Sequence, residues 1–240
     1  DAADHNGHNP VRIYGESFSD IDEYVAFVRR CILEWKARGA VALKSALAYD
    51  RGLDFHETTK EKAQRVFRPG AGAEDIRAFQ DYLFFAICRI AAEQGLPFQN
   101  HTGLGVLERT NAMRMREAIE KNPDTKFVLF HGSYPWMDDL CGLLHNCPNV
   151  YPDLCWLPLI STSAAKTLLH QLIELGRSDC LCWGCDTRTG EESYGALLAM
   201  RSVMSETLGE KVDSGYCSAD DALRVARNIL RENPKGLYGL

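Results

Sequence analysis

No stretch of this sequence is apolar for long enough to span a bilayer, and no charged-then-apolar leader opens it. A membrane-embedded protein is therefore not expected, and the cytoplasm is the expected setting. There is no basic stripe either. A net charge of −6 over 240 residues argues against a nucleic-acid partner. No glycine-rich fingerprint follows any apolar run, which removes the main support for a dinucleotide-binding fold. Internal repeats, low-complexity tracts and an interdomain linker are also lacking. Cysteine is not scarce, with nine residues, but the number is odd, and Cys31, Cys88, Cys155, Cys180 and Cys182 fall inside apolar runs. They read as small buried hydrophobes of a reducing compartment, not as a disulfide framework. The cluster Cys180-x-Cys182-x-x-Cys185 offers too few turn-borne ligands for a structural zinc site.

What is present is an ordinary globular composition, 45% apolar and 25% charged, in one domain-sized chain. The opening DAADHNGHNP is polar, lacks methionine and suits a flexible segment over residues 1–16, either a processed terminus or part of a longer protein. From Ser19, apolar residues Ile21, Tyr24, Val25, Val28, Ile32 and Trp35 recur at helical spacing. Ser19 is the expected N-cap, with Asp22 completing a loose capping box, and Gly39 the expected stop. The run AVALKS then reads as a buried strand. A long charged connection over 47–73 follows. Further helices are expected over about 74–94, 110–121, 135–145, 163–176, 191–208 and 219–231, and further strands at LPFQNH, KFVLFH, NVYPDL and CLCWGCD. Five short strands alternating with helices imply a parallel α/β sheet with right-handed crossovers.

An open doubly wound sheet and a closed barrel both fit that alternation, and the polar residues separate them. Lys44, His101, His131, Asp153 and Asp186 each fall at the carboxyl end of an expected strand. In a parallel barrel these ends share the face that carries the active site. Each alone has an ordinary alternative: a strand-end histidine can be a satisfied structural group, and a strand-end aspartate can cap the next helix. Five together are costly unless used. Two imidazoles and a carboxylate suit a divalent ion such as zinc, and a carboxylate beside that ion can shuttle a proton.

The strings PFQNHTGLG, FVLFHG, NVYPDLCW and WGCD, in that order, resemble strands five to eight of the amidohydrolase superfamily, in its amidohydrolase-related branch. ALKSALAYDRGLDF and the terminal ARNILRENPKGLYGL are similar to the same branch. The resemblance covers the chain from about residue 17 and implies a (β/α)₈ TIM-barrel-like fold of the metal-dependent hydrolase type. Strand–helix units four to eight would occupy 17–240 as a single catalytic-domain portion. It implies that His101 is a metal ligand, that His131 is a ligand or an electrophilic partner of the substrate, and that Asp186 binds metal and acts as general base. One divalent ion is expected, zinc in the first instance and manganese in the second. Lys44 stands where some relatives carry a carbamylated lysine; here it is expected unmodified, binding an anionic group of a small-molecule substrate, with Tyr49 and Arg51 beside it.

One feature of that superfamily is missing, the His-x-His pair that ends its first strand. His5 and His8 are separated by Asn6-Gly7 in a polar segment and do not replace it. Strands one to three and that pair are therefore expected upstream. The expected activity is metal-dependent hydrolysis of an amide, ester or lactone of a small polar or acidic substrate. The alternatives are a decarboxylase or uronate-isomerase-like enzyme, or a catalytically incomplete fragment. A homo-oligomer is compatible with the sequence but not encoded by any recognisable feature.

Overall fold

The computed structural model describes residues 6–240, so His5 lies outside the described residues. Element order follows the alternation. A short helix α1 (Pro10–Tyr14) precedes α2 (Ile21–Ala37), β1 (Leu43–Ser45), α3 (Lys60–Ala63) and α4 (Ala73–Gln94). Then come β2 (Phe98–Asn100), α5 (Arg116–Lys121), β3 (Phe127–Leu129), α6 (Met137–Asn146) and β4 (Val150–Pro152). The remainder is helical: α7 (Leu157–Ile160), α8 (Thr162–Glu174), α9 (Gly190–Asp213), α10 (Ala219–Arg227) and α11 (Asn233–Tyr238). Among the described residues no helix is long and apolar enough to cross a membrane.

The four strands form one parallel sheet in sequence order. The register stacks Leu43, Phe98, Phe127 and Val150, all members of the main core, on one face. Lys44, Gln99, Val128 and Tyr151 share the opposite face by strand alternation. There Val128, Phe130, Cys155 and Cys182 make a smaller cluster with Leu237 of α11, and Tyr238 accepts a hydrogen bond from Gln99 at 2.9 Å. Burying side chains of this size contributes roughly 1.5–3 kcal/mol each. The main core carries most of the stability, while the smaller cluster forms the floor beneath the strand ends.

The expected fifth strand, CLCWGCD, is reduced to a single bridge between Asp153 and Cys182. Pro152 explains much of this. Its carbonyl accepts from Cys182 N at 2.9 Å, but proline has no N–H to return toward the same neighbour, so the ladder cannot propagate. With no partner on its other side either, this segment is left as an edge of one bridge. The connection over 47–73 is less irregular than expected, containing a 3₁₀ turn at Leu47–Tyr49, α3, and a second 3₁₀ turn at Gln64–Phe67.

Helix ends shift by the local hydrogen bonding. Asp20, not Ser19, caps α2, while Ser19 bonds Glu23. Ser161, not Ser163, caps α8 through Ala164 N. α9 runs past Gly209 to Asp213 because Leu208 and Lys211 are buried, with the Lys211 ammonium paired to Glu174 and lying 4.3 Å over Tyr216. The polar lead-in includes α1, whose Tyr14 ring meets Phe27 of α2 at 5.4 Å.

Candidate active site

The carboxyl ends of the parallel strands lie along one rim, and the chain turns sharply as it leaves them. After β3 three consecutive residues adopt left-handed backbone: His131 (φ 63°), Gly132 (φ 58°) and Ser133 (φ 55°). Trp156 (φ 67°) and Asp186 (φ 53°) do the same after β4 and after the Cys182 bridge. Non-glycine residues in this region are uncommon and concentrate at functional sites. Glycine is required at 132, because a Cβ there would run into Leu168 and Leu157.

The turn after β3 drives His131 inward until it is wholly buried, and His101, immediately after β2, is nearly so. His131 Nε2 faces His101 Nδ1 at 3.0 Å and Asp186 Oδ2 at 3.6 Å. The other nitrogen of each ring meets a backbone carbonyl: His131 Nδ1 lies 3.1 Å from Cys155 O, and His101 Nε2 contacts Leu104 O. A carbonyl can only accept, so these partners assign the protons to His131 Nδ1 and His101 Nε2. The two nitrogens that face each other therefore both present lone pairs. A cation between them is the natural complement, either a proton or a metal ion. Burial first, then the neighbouring His101, pushes the His131 pKa down to about 3, so the proton is disfavoured. The Asp186 carboxylate lies close by, 3.6 Å from His131 Nε2, and imidazole and carboxylate are donor types that suit a divalent ion.

Around this group the rim is mixed. The Tyr49 ring stands 4.4 Å from His101, and Trp156 packs 5.5 Å from His131. Lys44 keeps much of its surface exposed, yet its ammonium hangs 4.6 Å over the Phe130 ring. Burial of that end lowers its pKa, and Asp186 opposes the shift. The Tyr49 hydroxyl is pushed up by burial and by Asp186 and pulled back by Arg188. Arg188 is thus a second cation close to the rim that sequence reasoning missed. Asp153, nearly buried, has its pKa pushed up to about 6 by burial. Its Oδ1 accepts from Cys155 N at 2.7 Å.

The structure thus brings His101, His131, Asp186 and Tyr49 together, with Lys44 on the same rim. Arg51 is placed differently. Its guanidinium turns inward to Asp81 at 2.8 Å, Gly52 O at 3.0 Å, and Gln80 Oε1 and Asp54 O at 3.1 Å, over the Phe55 ring. That is a buried ion pair, although Asp81 Oδ1 has no partner at hydrogen-bond geometry, and the inward turn takes the guanidinium away from its expected place beside Lys44. Cys155 departs the other way. Read as a packing residue, it puts its thiol 3.5 Å from His131 Nδ1, and His131, Cys155 and Asp186 are the one group of metal-capable side chains among the described residues. The thiol lies on the Nδ1 side of the ring, behind the nitrogen that faces Asp186, so Cys155 supports the imidazole from the rear. The local signal for it is the Asp153-x-Cys155 spacing, at which an aspartate bonds the backbone two residues on. The thiols of Cys180, Cys182 and Cys185 meet only backbone carbonyls.

The chain is similar to several known proteins. The protein fluG of Emericella nidulans is 28% identical over 222 residues, covering 83% of this chain and 26% of its own length. Among solved structures, one assigned as a metal-dependent hydrolase from Lactobacillus casei superposes with a TM-score of 0.78 at 22% identity, covering 92% of this chain and 61% of that one. Uronate isomerase from Thermotoga maritima follows with a TM-score of 0.77 at 18% identity, over 95% and 56%. The chain thus spans about a quarter of the curated relative, and its fold is an α/β parallel-sheet arrangement with barrel-type relatives. A family model for amidohydrolases matches residues 16–240, and the chain belongs to that family.

Proposed function

We propose that this chain carries a one-metal hydrolytic centre acting on an amide, ester or lactone bond of a small, polar or acidic substrate. The observation that carries this proposal is the convergence of His131 Nε2 on His101 Nδ1 at 3.0 Å and on Asp186 Oδ2 at 3.6 Å. His101, His131 and Asp186 would hold the ion. When bound, a divalent ion supplies Lewis acidity and makes hydroxide available near pH 7. Asp186, the exposed member, takes the proton lost by attacking water and returns it to the leaving group. His131, held by Cys155 at Nδ1, would present its Nε2 lone pair to that ion. Lys44, with Tyr49 and Arg188 near it, suits an anionic substrate group.

The proposal includes the architecture. Leu43 N and Ser45 O bond toward β2, so the N–H and C=O of Lys44 face outward along a free strand edge. Beside that edge a 520 Å³ groove lined by Val28, Ile32, Leu83, Phe84 and Ile87 suits one more strand–helix unit. Units four to eight of an eight-stranded barrel would leave such an edge, with further ligands contributed from outside this sequence.

The test is metal content. After exhaustive dialysis the purified protein should retain or rebind about one equivalent of zinc or manganese, and His101→Ala should lose it. A protein that binds no divalent ion stoichiometrically overturns the proposal. The two rim cations support a second assignment, to decarboxylation of an acid or aldose–ketose isomerisation of a uronate. Assaying acids for carbon dioxide release and uronates for isomerisation, beside amides, esters and lactones, separates the two.

A further inference from the structure

We propose that Asp153 is a positioning residue, whose buried carboxylate fixes the orientation of His131 through Cys155. This inference rests on the metal-centre assignment above and extends it to a residue that touches neither ion nor substrate.

The connections run in two directions from one residue. Toward His131, Asp153 Oδ1 accepts the Cys155 N–H at 2.7 Å. Cys155 in turn presents its carbonyl to His131 Nδ1 at 3.1 Å and its sulfur to the same nitrogen at 3.5 Å. Toward Asp186, the backbone of Asp153 pairs with Cys182, four residues before the left-handed Asp186. The Asp153–Cys182 bridge, with Leu154 N donating to Cys182 O at 3.1 Å, holds the same two segments side by side.

A strand-end aspartate usually caps the helix that follows. Here α7 starts at Leu157 with no side-chain cap, and Asp153 Oδ1 is turned to the Cys155 N–H instead. Burying a carboxylate is costly, and a carboxylate that orients a ligating imidazole is a recurrent use of that cost. In this chain one residue, Cys155, stands between the carboxylate and the imidazole. Orienting groups of this kind typically contribute 10–100-fold to metal affinity.

The test uses Asp153→Ala, with zinc binding to the whole chain by calorimetry and the His131 Nδ1 proton of the metal-free protein by NMR. That proton is assigned by its absence in His131→Asn. The wild type should show it in slow exchange. Asp153→Ala, which removes the acceptor of the Cys155 N–H, should lose it and bind zinc roughly 10–100-fold more weakly, while Asp153→Asn, which keeps an oxygen acceptor, should retain the ring proton. Thr125→Val is the stability control: it removes a buried bond to Cys88 O at 2.8 Å, distant in sequence from these loops, and should change neither readout. An unchanged ring proton in Asp153→Ala overturns the proposal. If the wild type binds no zinc, the metal-centre assignment fails alone, and the ring proton still decides the role of Asp153. If Asp153→Ala does not fold, amide exchange in the wild type decides instead. Cys155 should be protected, and its exchange at loop rates overturns the proposal.

Discussion

Two buried polar clusters in this protein look alike by burial and differ by hydrogen-bond inventory. Arg51 and Asp81 form one, and His101 with His131 forms the other. Each nitrogen of the Arg51 guanidinium meets an acceptor, and a ring lies beneath it. Its charge is answered by Asp81, whose Oδ1 lies 2.8 Å away without hydrogen-bond geometry. The imidazole pair has its donors consumed by carbonyls and its lone pairs turned on each other. Burial of charge or polarity does not mark a functional site by itself; the kind of group each atom faces, an opposite charge in one cluster and a second imidazole in the other, tells the two apart.

The largest test of that contrast removes Arg51. Arg51→Met should cost about 3–5 kcal/mol in denaturant unfolding, because Asp81 is left buried without its partner. The folded fraction should keep its metal stoichiometry. Loss of metal at wild-type stability would move Arg51 back into the site.

The second test is pH, on metal-free protein. The His131 pKa is depressed to about 3, so the unfolded chain binds more protons and stability falls as pH drops below 6.5. The Asp153 pKa is raised to about 6, so the folded chain binds more protons and stability rises as pH drops from about 6 to 4. In the wild type the two slopes oppose one another between pH 4 and 6. In His131→Asn the Asp153 slope remains, and stability should rise by up to ~3 kcal/mol across that window. A falling profile in the variant would refute the balance.

Smaller in energy, His101→Ala should weaken zinc binding by more than the roughly 100-fold upper end for an orienting group, at little cost in folding. Equal affinity would show that the lone pairs do not act as ligands. Smallest of all, Tyr238→Phe removes the acceptor of the Gln99 amide at 2.9 Å and should cost about 1 kcal/mol without touching metal affinity. A change in affinity would mean that the floor cluster transmits to the rim.

The placement of His101, His131 and Asp186 was legible because it is local: an apolar run followed by an ionisable residue reads the same in one dimension as in three. The helix–strand alternation was legible for the same reason. Arg51 was not, since Asp81 lies thirty residues on, in α4, and only folding reveals that the two meet. The loss of the fifth strand was hidden in Pro152, whose missing N–H matters only once its neighbour is known. Cys155 looked like filler because apolar context suggests packing, whereas its use lies largely in its backbone carbonyl, which any residue carries.

The left-handed turns at 131 and 186 also act on the sequence space open to this rim. A library that randomises these two positions would sample few survivors among β-branched residues and would be enriched in asparagine, aspartate and glycine, whatever chemistry was selected. New activities on this scaffold would therefore arise more readily by changing Lys44, Tyr49 and Arg188, whose backbones impose no such filter, than by replacing the two residues at the turns.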